Sequence, residues 1–523
     1  MIRPPIRPPV RPMIRSGLVA SACLALACAA CTVGPDYHRP ETPTPPAFAD
    51  TGDKASSPLG QTLSAPQDEA QIAAWWTGFG DPVLDGLIER ALKGNLDLQT
   101  DYARIRAARE QEVVQGAKDL PHAGANFSTA RLNDNASTSP LAGLLGERGA
   151  ATAGGAGGGG GAPSHINSFA VSFDATWELD LFGGGRRGVE AARASTEAAV
   201  WAKRDGEVSL TSEVASDYLT LRALQLRIAI AEQEVARQRD TFTIIHQQAQ
   251  TGFVTRLNVN QQEAQVQAVI ASIPELEAQA RAEIHAIGVL LGEEPEALEA
   301  ELSNSGGQAL PGVPEQLPVG LPSDLLRRRP DVREAERRLA ASTAQVGMQV
   351  AGLYPKFNIL AIAPFASNTF TGVFNANSAS SIGAGVIQWP IFQGGQIRAN
   401  IRNARAEQDE AYFAYRKSIL GALQNVEDAL SRYQADQRRI VAQKASVAAA
   451  ENSELIARQQ YGVGLVTFIN VLSAQQTLLS ARNELAQDQG QLATDLVSLY
   501  KVLGGGWRAD EGKLLTRAGV SVP

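Results

Sequence analysis

Two stretches of the chain keep apolar residues at helical steps for far longer than a globular helix would. Between residues 186 and 251, Leu210, Val214, Tyr218, Leu221, Leu224 and Ile228 advance by threes and fours with no intervening Pro, a spacing that stacks them on one helix face. Between 396 and 460, Ile419, Leu423, Val426, Leu430, Tyr433 and Ile440 do the same. Each stretch predicts a helix of about 65 residues, about 100 Å long at 1.5 Å per residue. That length implies side-by-side packing of the coiled-coil kind. A return helix follows each: one runs to Leu291, with Pro274 as an expected kink, the other to Leu503. A further helix is expected over 83–118, on Leu84, Leu87, Ile88, Ala91 and Leu92, ending before Pro121.

Elsewhere the period changes to two. Phe169, Val171, Phe173, Ala175, Trp177 and Leu179 alternate with Ser172, Asp174, Thr176, Glu178 and Asp180, the pattern of a strand with one apolar and one wet face. Strands are also expected at about 123–132, 354–365 and 381–391. No apolar run long enough for a membrane helix follows residue 31. The strands, at about nine to eleven residues with alternation, have the character of a membrane barrel. Four strands cannot close one, since about eight is the minimum, and an open sheet edge cannot face lipid. Several chains must therefore share a barrel, at least two by this argument.

The long helices end in related turns. Gln247, Gln248, Gly252, Val254, Thr255, Asn258 and Val259 reappear 212 residues later as Gln459, Gln460, Gly464, Val466, Thr467, Asn470 and Val471. Asp97 and Pro121 match Asp331 and Pro355 at an offset of 234, and Phe182–Gly185 matches Phe392–Gly395 at 210. A repeat this long means two copies of one large half. The copies are 81–302 and 323–507, separated by a Pro- and Gly-rich linker, 303–322. Gly252 and Gly464 supply the backbone freedom that stops a helix. Thr or Asn is then expected to cap the next helix by accepting its free N–H groups. On spacing alone, the turns are either structural or a functional tip.

Composition removes several classes. The net charge of −8 argues against a nucleic-acid partner. His38, His122, His165, His246 and His285 are scattered with no Cys nearby, so no metal or other cofactor is expected, and His285 reads as packing. No catalytic constellation appears, so an enzyme is not expected. The Gly run 154–161 lacks the Gly-Lys-Ser/Thr ending of a phosphate loop and reads as a flexible loop. The acidic and basic residues Glu427, Asp428, Arg432 and Asp436 read as a solvated helix face. Cys23, Cys28 and Cys31 all fall at the N-terminus, so the body of the chain can form no disulfide. Residues 1–30 carry Arg3, Arg7, Arg11 and Arg15, then an apolar run ending Ala29-Ala30-Cys31. This is the pattern of an export signal, with small residues where a lipoprotein signal peptidase cuts and Cys31 as the lipidated residue; ordinary cleavage without lipid is the alternative. An extended segment over 31–80 and a tail over 508–523 complete the organisation.

Four motifs add a resemblance. Thr32-Val-Gly-Pro-Asp-Tyr-His-Arg-Pro40, Trp75-Trp-Thr-Gly-Phe-Gly-Asp-Pro-Val-Leu84, His285-Ala-Ile-Gly-Val-Leu-Leu-Gly292 and Leu321-Pro-Ser-Asp-Leu-Leu-Arg-Arg-Arg-Pro-Asp-Val-Arg-Glu-Ala-Glu336 resemble outer-membrane efflux lipoproteins of the TolC-like superfamily, in the OprM/NodT branch. The resemblance implies an α+β membrane protein: a homotrimer whose twelve-stranded β-barrel, four strands per protomer, is continued by a long α-helical barrel. It implies the exit duct of a tripartite efflux pump in the outer membrane of a Gram-negative bacterium, with outer-membrane lipid around the barrel. Its partners would be a periplasmic adaptor (membrane fusion) protein and an inner-membrane transporter of the resistance-nodulation-division type. The adaptor would meet the tips, at Gly252, Val254, Thr255, Asn258, Gly464, Val466, Thr467 and Asn470. The periplasmic gate would lie just past the second turn, with Ile469 at its apolar constriction and Ser473 where relatives in this branch have Asp. Two other readings remain: the exit duct of a type I protein secretion system, and a soluble periplasmic coiled-coil adaptor, which the alternating strands oppose.

Overall fold

The computed structural model describes residues 32–43, 45–46, 48, 62–64, 72–133, 165–303, 310–312, 314, 316–318 and 328–507. The export signal, Cys31, the Gly run 154–161, residues 321–327 of the fourth motif and the tail 508–523 lie outside them. The elements in order are β1 (Thr62–Ser64), α1 (Pro82–Gly94), α2 (Leu96–Ala117), β2 (His122–Asn133), β3 (His165–Leu179), α3 (Gly184–Gln250), α4 (Arg256–Leu291), α5 (Glu299–Leu302), β4 (Gln316–Pro318), α6 (Pro330–Ala351), β5 (Lys356–Ser367), β6 (Ile382–Gln388), α7 (Gln396–Gly462) and α8 (Phe468–Val502). Among the described residues no helix is long and apolar enough to cross a membrane.

The two long helices are 67 residues each, about 100 Å at the α-helical rise. The return helix α4 continues through Pro274 to Leu291. The helix expected over 83–118 is two helices, and the break has a local cause. Asn95 leaves helical geometry at ψ 131°, its Oδ1 accepts the Leu98 N–H at 3.0 Å, and its Nδ2 donates to the Leu290 carbonyl at 2.9 Å. A Cβ on the neighbouring Gly94 would lie 2.3 Å from the Leu291 carbonyl oxygen, so only Gly permits this crossing of backbones. The periodic positions Leu84–Leu92 all lie before the break, and Gly94-Asn95 was the local signal for it.

The chain divides into two compact units that cut across the repeats. Among the described residues, the first holds those from Thr32 to His38, Arg109–Ala194 and Ala340–Asp409; the second holds those within Arg39–Ala108, Ser195–Leu339 and Glu410 to Trp507. In the first unit, four strands form one antiparallel sheet in the order β2-β3-β5-β6. Alternation sets its faces. Phe173 and Trp177 stand opposite Ala363 and Ile359; the other face carries an Asn126–Asp174 hydrogen bond of 2.7 Å and a Lys356–Glu178 ion pair of 3.0 Å.

The two halves of this unit repeat in their details. Pro121 and Pro355 immediately precede β2 and β5. The Trp177 indole donates to the Asp119 carbonyl at 2.9 Å, and the Trp389 indole donates to the Leu353 carbonyl at 3.1 Å. Donors 212 residues apart therefore find acceptors 234 apart, because the first half carries the longer strand-to-strand loop.

In the second unit, Leu84, Leu87 and Ile88 of α1 are fully buried in one cluster with Tyr218, Leu219 and Leu221 of α3, Ile284 and Ile287 of α4, and Leu496 and Val497 of α8. Asp81 caps α1 by accepting the Val83 and Leu84 N–H groups, with Pro82 at the first helical position, where a missing N–H costs nothing. Its other oxygen accepts the Tyr218 hydroxyl at 2.6 Å, and Arg222 donates to that hydroxyl oxygen at 2.7 Å. One carboxylate thus starts a helix and fastens it to α3. A parallel pair, β1 with β4, joins the segment before α1 to the inter-repeat linker; neither was expected as a strand.

Candidate functional site

The two turns are superimposable in their bonding. In the first, the Phe253 N–H reaches back to the Gln248 carbonyl at 2.9 Å and the Gly252 N–H to Ala249 at 3.2 Å; in the second, Leu465 reaches Gln460 at 2.9 Å and Gly464 reaches Tyr461 at 3.0 Å. These are Schellman-type endings, and both require a left-handed residue. Gly252 stands at φ +81° and Gly464 at φ +75°, each with open space where a Cβ would be.

Thr255 and Thr467 do stand at the N-cap of α4 and α8, in extended geometry, but neither hydroxyl accepts a helix N–H. Thr255 Oγ1 instead donates to the Asn258 side chain at 3.0 Å. The Asn258 and Asn470 N–H groups bond the Thr255 and Thr467 carbonyls, both at 3.1 Å. The expected cap is correct in position and not in its bond, because the Thr carbonyl, not its hydroxyl, accepts the N–H of the third helical residue.

The two turns also pack together. Ile245, Phe468, Val471 and Leu472 form a buried cluster, covered by Val254, Val259, Ala457 and Tyr461. Val254 and Val466 are half-buried, while Thr255, Thr467 and Asn470 are exposed. The turns leave an apolar rim in water: Phe253 is 84 % exposed, Leu465 74 %, Val463 72 % and Leu257 64 %. Exposed large apolar groups gathered in one place mark an interaction surface. Ile469 is 54 % exposed on its own chain. Ser473 lies exposed one turn further along α8, and its carbonyl accepts the Thr477 hydroxyl.

Acidic contacts within the helical hairpins complete the picture. Burial pushes the Asp217 carboxyl of α3 up to about 7, helped by Glu283 of α4 and by Glu213; Glu283 is itself raised by burial. In the second repeat, Asp436 of α7 is raised by burial and by its hydrogen-bonded neighbour Asp495 of α8. Arg439 bridges Asp436 at 3.4 Å and Asp488 at 3.0 Å. The solvated face expected over Glu427–Asp436 therefore holds for Asp428 and Arg432, which are exposed, but not for Asp436, which is 8 % exposed. Its place between the apolar Tyr433 and Ile440 was the available signal.

The comparisons agree with this geometry. A family model described as "Outer membrane efflux protein" matches residues 87–293 and 321–505, one segment in each repeat. Nodulation protein T of Rhizobium leguminosarum bv. viciae is 31% identical over 501 residues, covering 94% of both chains. The pyoverdine export outer membrane protein OpmQ of Pseudomonas aeruginosa is 30% identical over 465 residues, covering 89% of this chain and 94% of its own. Among solved structures, the outer-membrane channel OprN has a TM-score of 0.77 at 33% identity, covering 91% of this chain and all of its own. These neighbours are trimeric TolC-like outer-membrane channels, and the chain shares their fold, contributing four strands to a β-barrel and long hairpins to a helical one. The resemblance read from the motifs holds: this chain belongs to the outer membrane efflux protein family, whose members are outer-membrane channels of efflux pumps in Gram-negative bacteria.

Proposed function

We propose that three copies of this chain close one twelve-stranded barrel and together form the passive exit duct of a tripartite efflux pump for small molecules. The observation that carries this is the sheet. Its outer strands β2 and β6 are each paired on one side only among the described residues, and the alternating order makes β6 antiparallel to the β2 of a neighbouring copy. Lipid cannot satisfy an open edge, and twelve strands lie within the range of known barrels. Phe173, Trp177 and Ile359 then face lipid, and Asn126, Asp174, Glu178 and Lys356 face the bore.

The apolar rim of the two turns, with Gly252, Val254, Thr255, Asn258, Gly464, Val466, Thr467 and Asn470, is the docking surface for a periplasmic adaptor, which links the duct to an inner-membrane transporter of the resistance-nodulation-division type. Ile469, exposed on its own chain, meets its copies at the closed end, and Ser473 places a neutral hydroxyl there where relatives in this branch have Asp. Acyl chains on Cys31 anchor the N-terminus beside the barrel. Native mass spectrometry of the detergent-extracted protein tests the assembly: three chains are expected, and a stable folded monomer in lipid refutes it.

A further inference from the structure

The segment that follows Cys31 does not hang free. The Val33 N–H donates to the Phe182 carbonyl at 3.1 Å, between the end of β3 and the start of α3. Arg187, in the first turn of α3, has a side chain only 5 % exposed, and all three of its donor groups are used. Nη2 meets Asp36 Oδ1 at 2.5 Å, Nη1 meets Glu190 Oε2 at 2.7 Å, and Nε reaches the Val33 carbonyl at 3.4 Å. Gly34 stands at φ +94°, and a Cβ there would lie 2.4 Å from the Cα of Gly347 in α6. A Cβ on Gly347 would in turn lie 3.0 Å from the Arg187 side chain. A Cβ on Gly183, at φ +79°, would lie 2.6 Å from Thr32 Cγ2. Tyr37 closes the segment against Ala194, Ala340 and Ala341.

We propose that Thr32–Tyr37 is a clasp seated in a built intramolecular site, with Arg187 as its positioning residue and Gly34, Gly183 and Gly347 as the clearances that let backbone meet backbone. The site takes one peptide of defined chemistry: a carboxylate three residues after a backbone carbonyl, with a Gly between them. It spans both repeats, since α3 belongs to the first and α6 to the second. A buried guanidinium needs its charge met, and Asp36 and Glu190 hold that charge against the burial that opposes it; Arg187 in turn holds the Asp36 carboxyl below its ordinary range. The functional consequence rests on the reading of Cys31 as lipidated: Thr32, the next residue in sequence, packs against Gly183 just past the end of β3, so the acyl chains enter the membrane at a set place on the barrel rather than on a loose tether.

The test uses the full-length protein in membranes, and docking is read separately from lipidation. Val33→Cys places a reporter thiol in the clasp, which a membrane-impermeant maleimide can probe; tandem mass spectrometry localises the label to residue 33, since Cys31 is a second free thiol whenever it is not acylated. Slow labelling is expected in the otherwise unaltered protein. Arg187→Gln and, separately, Asp36→Asn should each speed it severalfold. Asp36 is exposed and contacts the rest of the protein through Arg187, so its variant stays informative if Arg187→Gln does not assemble. Glu190→Gln, which keeps the Asp36 contact, should change the rate much less. Fast labelling in the unaltered background, or equal rates with and without Asp36→Asn, overturns the clasp. Because labelling is read at residue 33 alone, a failed lipid assignment leaves this result readable.

Discussion

If the turns dock a partner, charging them must block docking without unfolding the chain. Replacing both Gly252 and Gly464 with Asp tests this, and the structure bounds the folding cost. Both positions have positive φ, which costs an ordinary L-residue about 1–2 kcal/mol and Asp less, since Asp visits this region. Neither position has a heavy atom within 4 Å of the added Cβ, so no clash adds to that strain. The summed penalty is about 2–3 kcal/mol per chain at most, spread over hairpins whose buried cluster at Ile245, Phe468, Val471 and Leu472 is untouched. At the surface, each chain gains two negative charges beside the exposed Phe253 and Leu465. Burying an unpaired charge in a partner's interface costs several kcal/mol, enough to lower affinity a hundredfold or more. The assay is drug export in a strain lacking its own channel, with in vivo cross-linking to the adaptor and a check for membrane trimers. Trimers should persist while cross-linking and export fall. Unchanged cross-linking and export would mean that the turns are structural only. Loss of the trimers would refute the strain estimate.

Further outcomes follow from individual residues. Mass spectrometry of the mature N-terminus should find acylated Cys31, and Cys31→Ser should reduce but not abolish membrane residence, because the barrel also anchors the chain; an unmodified Cys31 refutes this. Asp217 has a folded-state pKa pushed up to about 7, well above its ordinary value of about 4. The folded state therefore holds more protons than the unfolded one between about pH 4 and 7, and stability must fall as pH rises through that window. Thermal melts of the detergent-extracted protein should flatten there in Asp217→Asn, and an unchanged slope refutes the assignment. Asn95→Ala removes the cap of α2 and the bond to the Leu290 carbonyl, a loss of about 1–3 kcal/mol that the same melts would show as a lower midpoint.

The long elements were legible because each repeats one period for many residues. The alternation from Phe169 to Leu179 and the heptad-like steps around Tyr218 and Tyr433 gave strands and helices whose ends fall within a few residues of the structure. The turn glycines were legible because the repeat isolates them: matching residues around an otherwise drifting sequence point to a demand on the backbone. What stayed hidden depends on contacts between segments distant in sequence. At Gly94-Asn95 a helix stop was locally legible, but the crossing of Leu290 and Leu291 beside it was not. The pairing of β1 with β4 joins two three-residue pieces with no pattern of their own. Asp436 is one polar residue on a face whose neighbours Asp428 and Arg432 are exposed, and its burial follows from the approach of Asp495 and Asp488 on α8. No local signal linked Arg187 to Asp36, 151 residues away.

The repeat also bears on how the assembly can be built. Three chains of two halves present six turns, and the bonding at Gly252 and Gly464 makes the six nearly equivalent to a partner. The junctions of strand and helix are nearly equivalent too, through the paired bonds of Trp177 and Trp389. Between those ends the halves diverge. Helix α2 corresponds to α6 at an offset of 234, but α1 has no counterpart among the described residues, and the capping carboxylate of Asp81 binds Tyr218 in the first half alone. Equivalence is thus kept where a ring must close or a partner must dock, because a mismatch at one of six positions would leave an unpaired edge or an unfilled contact. It is relaxed in the middle of the helices, where each chain needs only to fill its own core. This division predicts that substitutions at matched end positions act in pairs, with single Gly252→Asp or Gly464→Asp changes leaving part of the adaptor cross-linking intact. Substitutions such as Asp81→Asn should act through one half only, lowering stability without changing cross-linking at either turn. Equal loss of cross-linking from one turn variant and from both would contradict it.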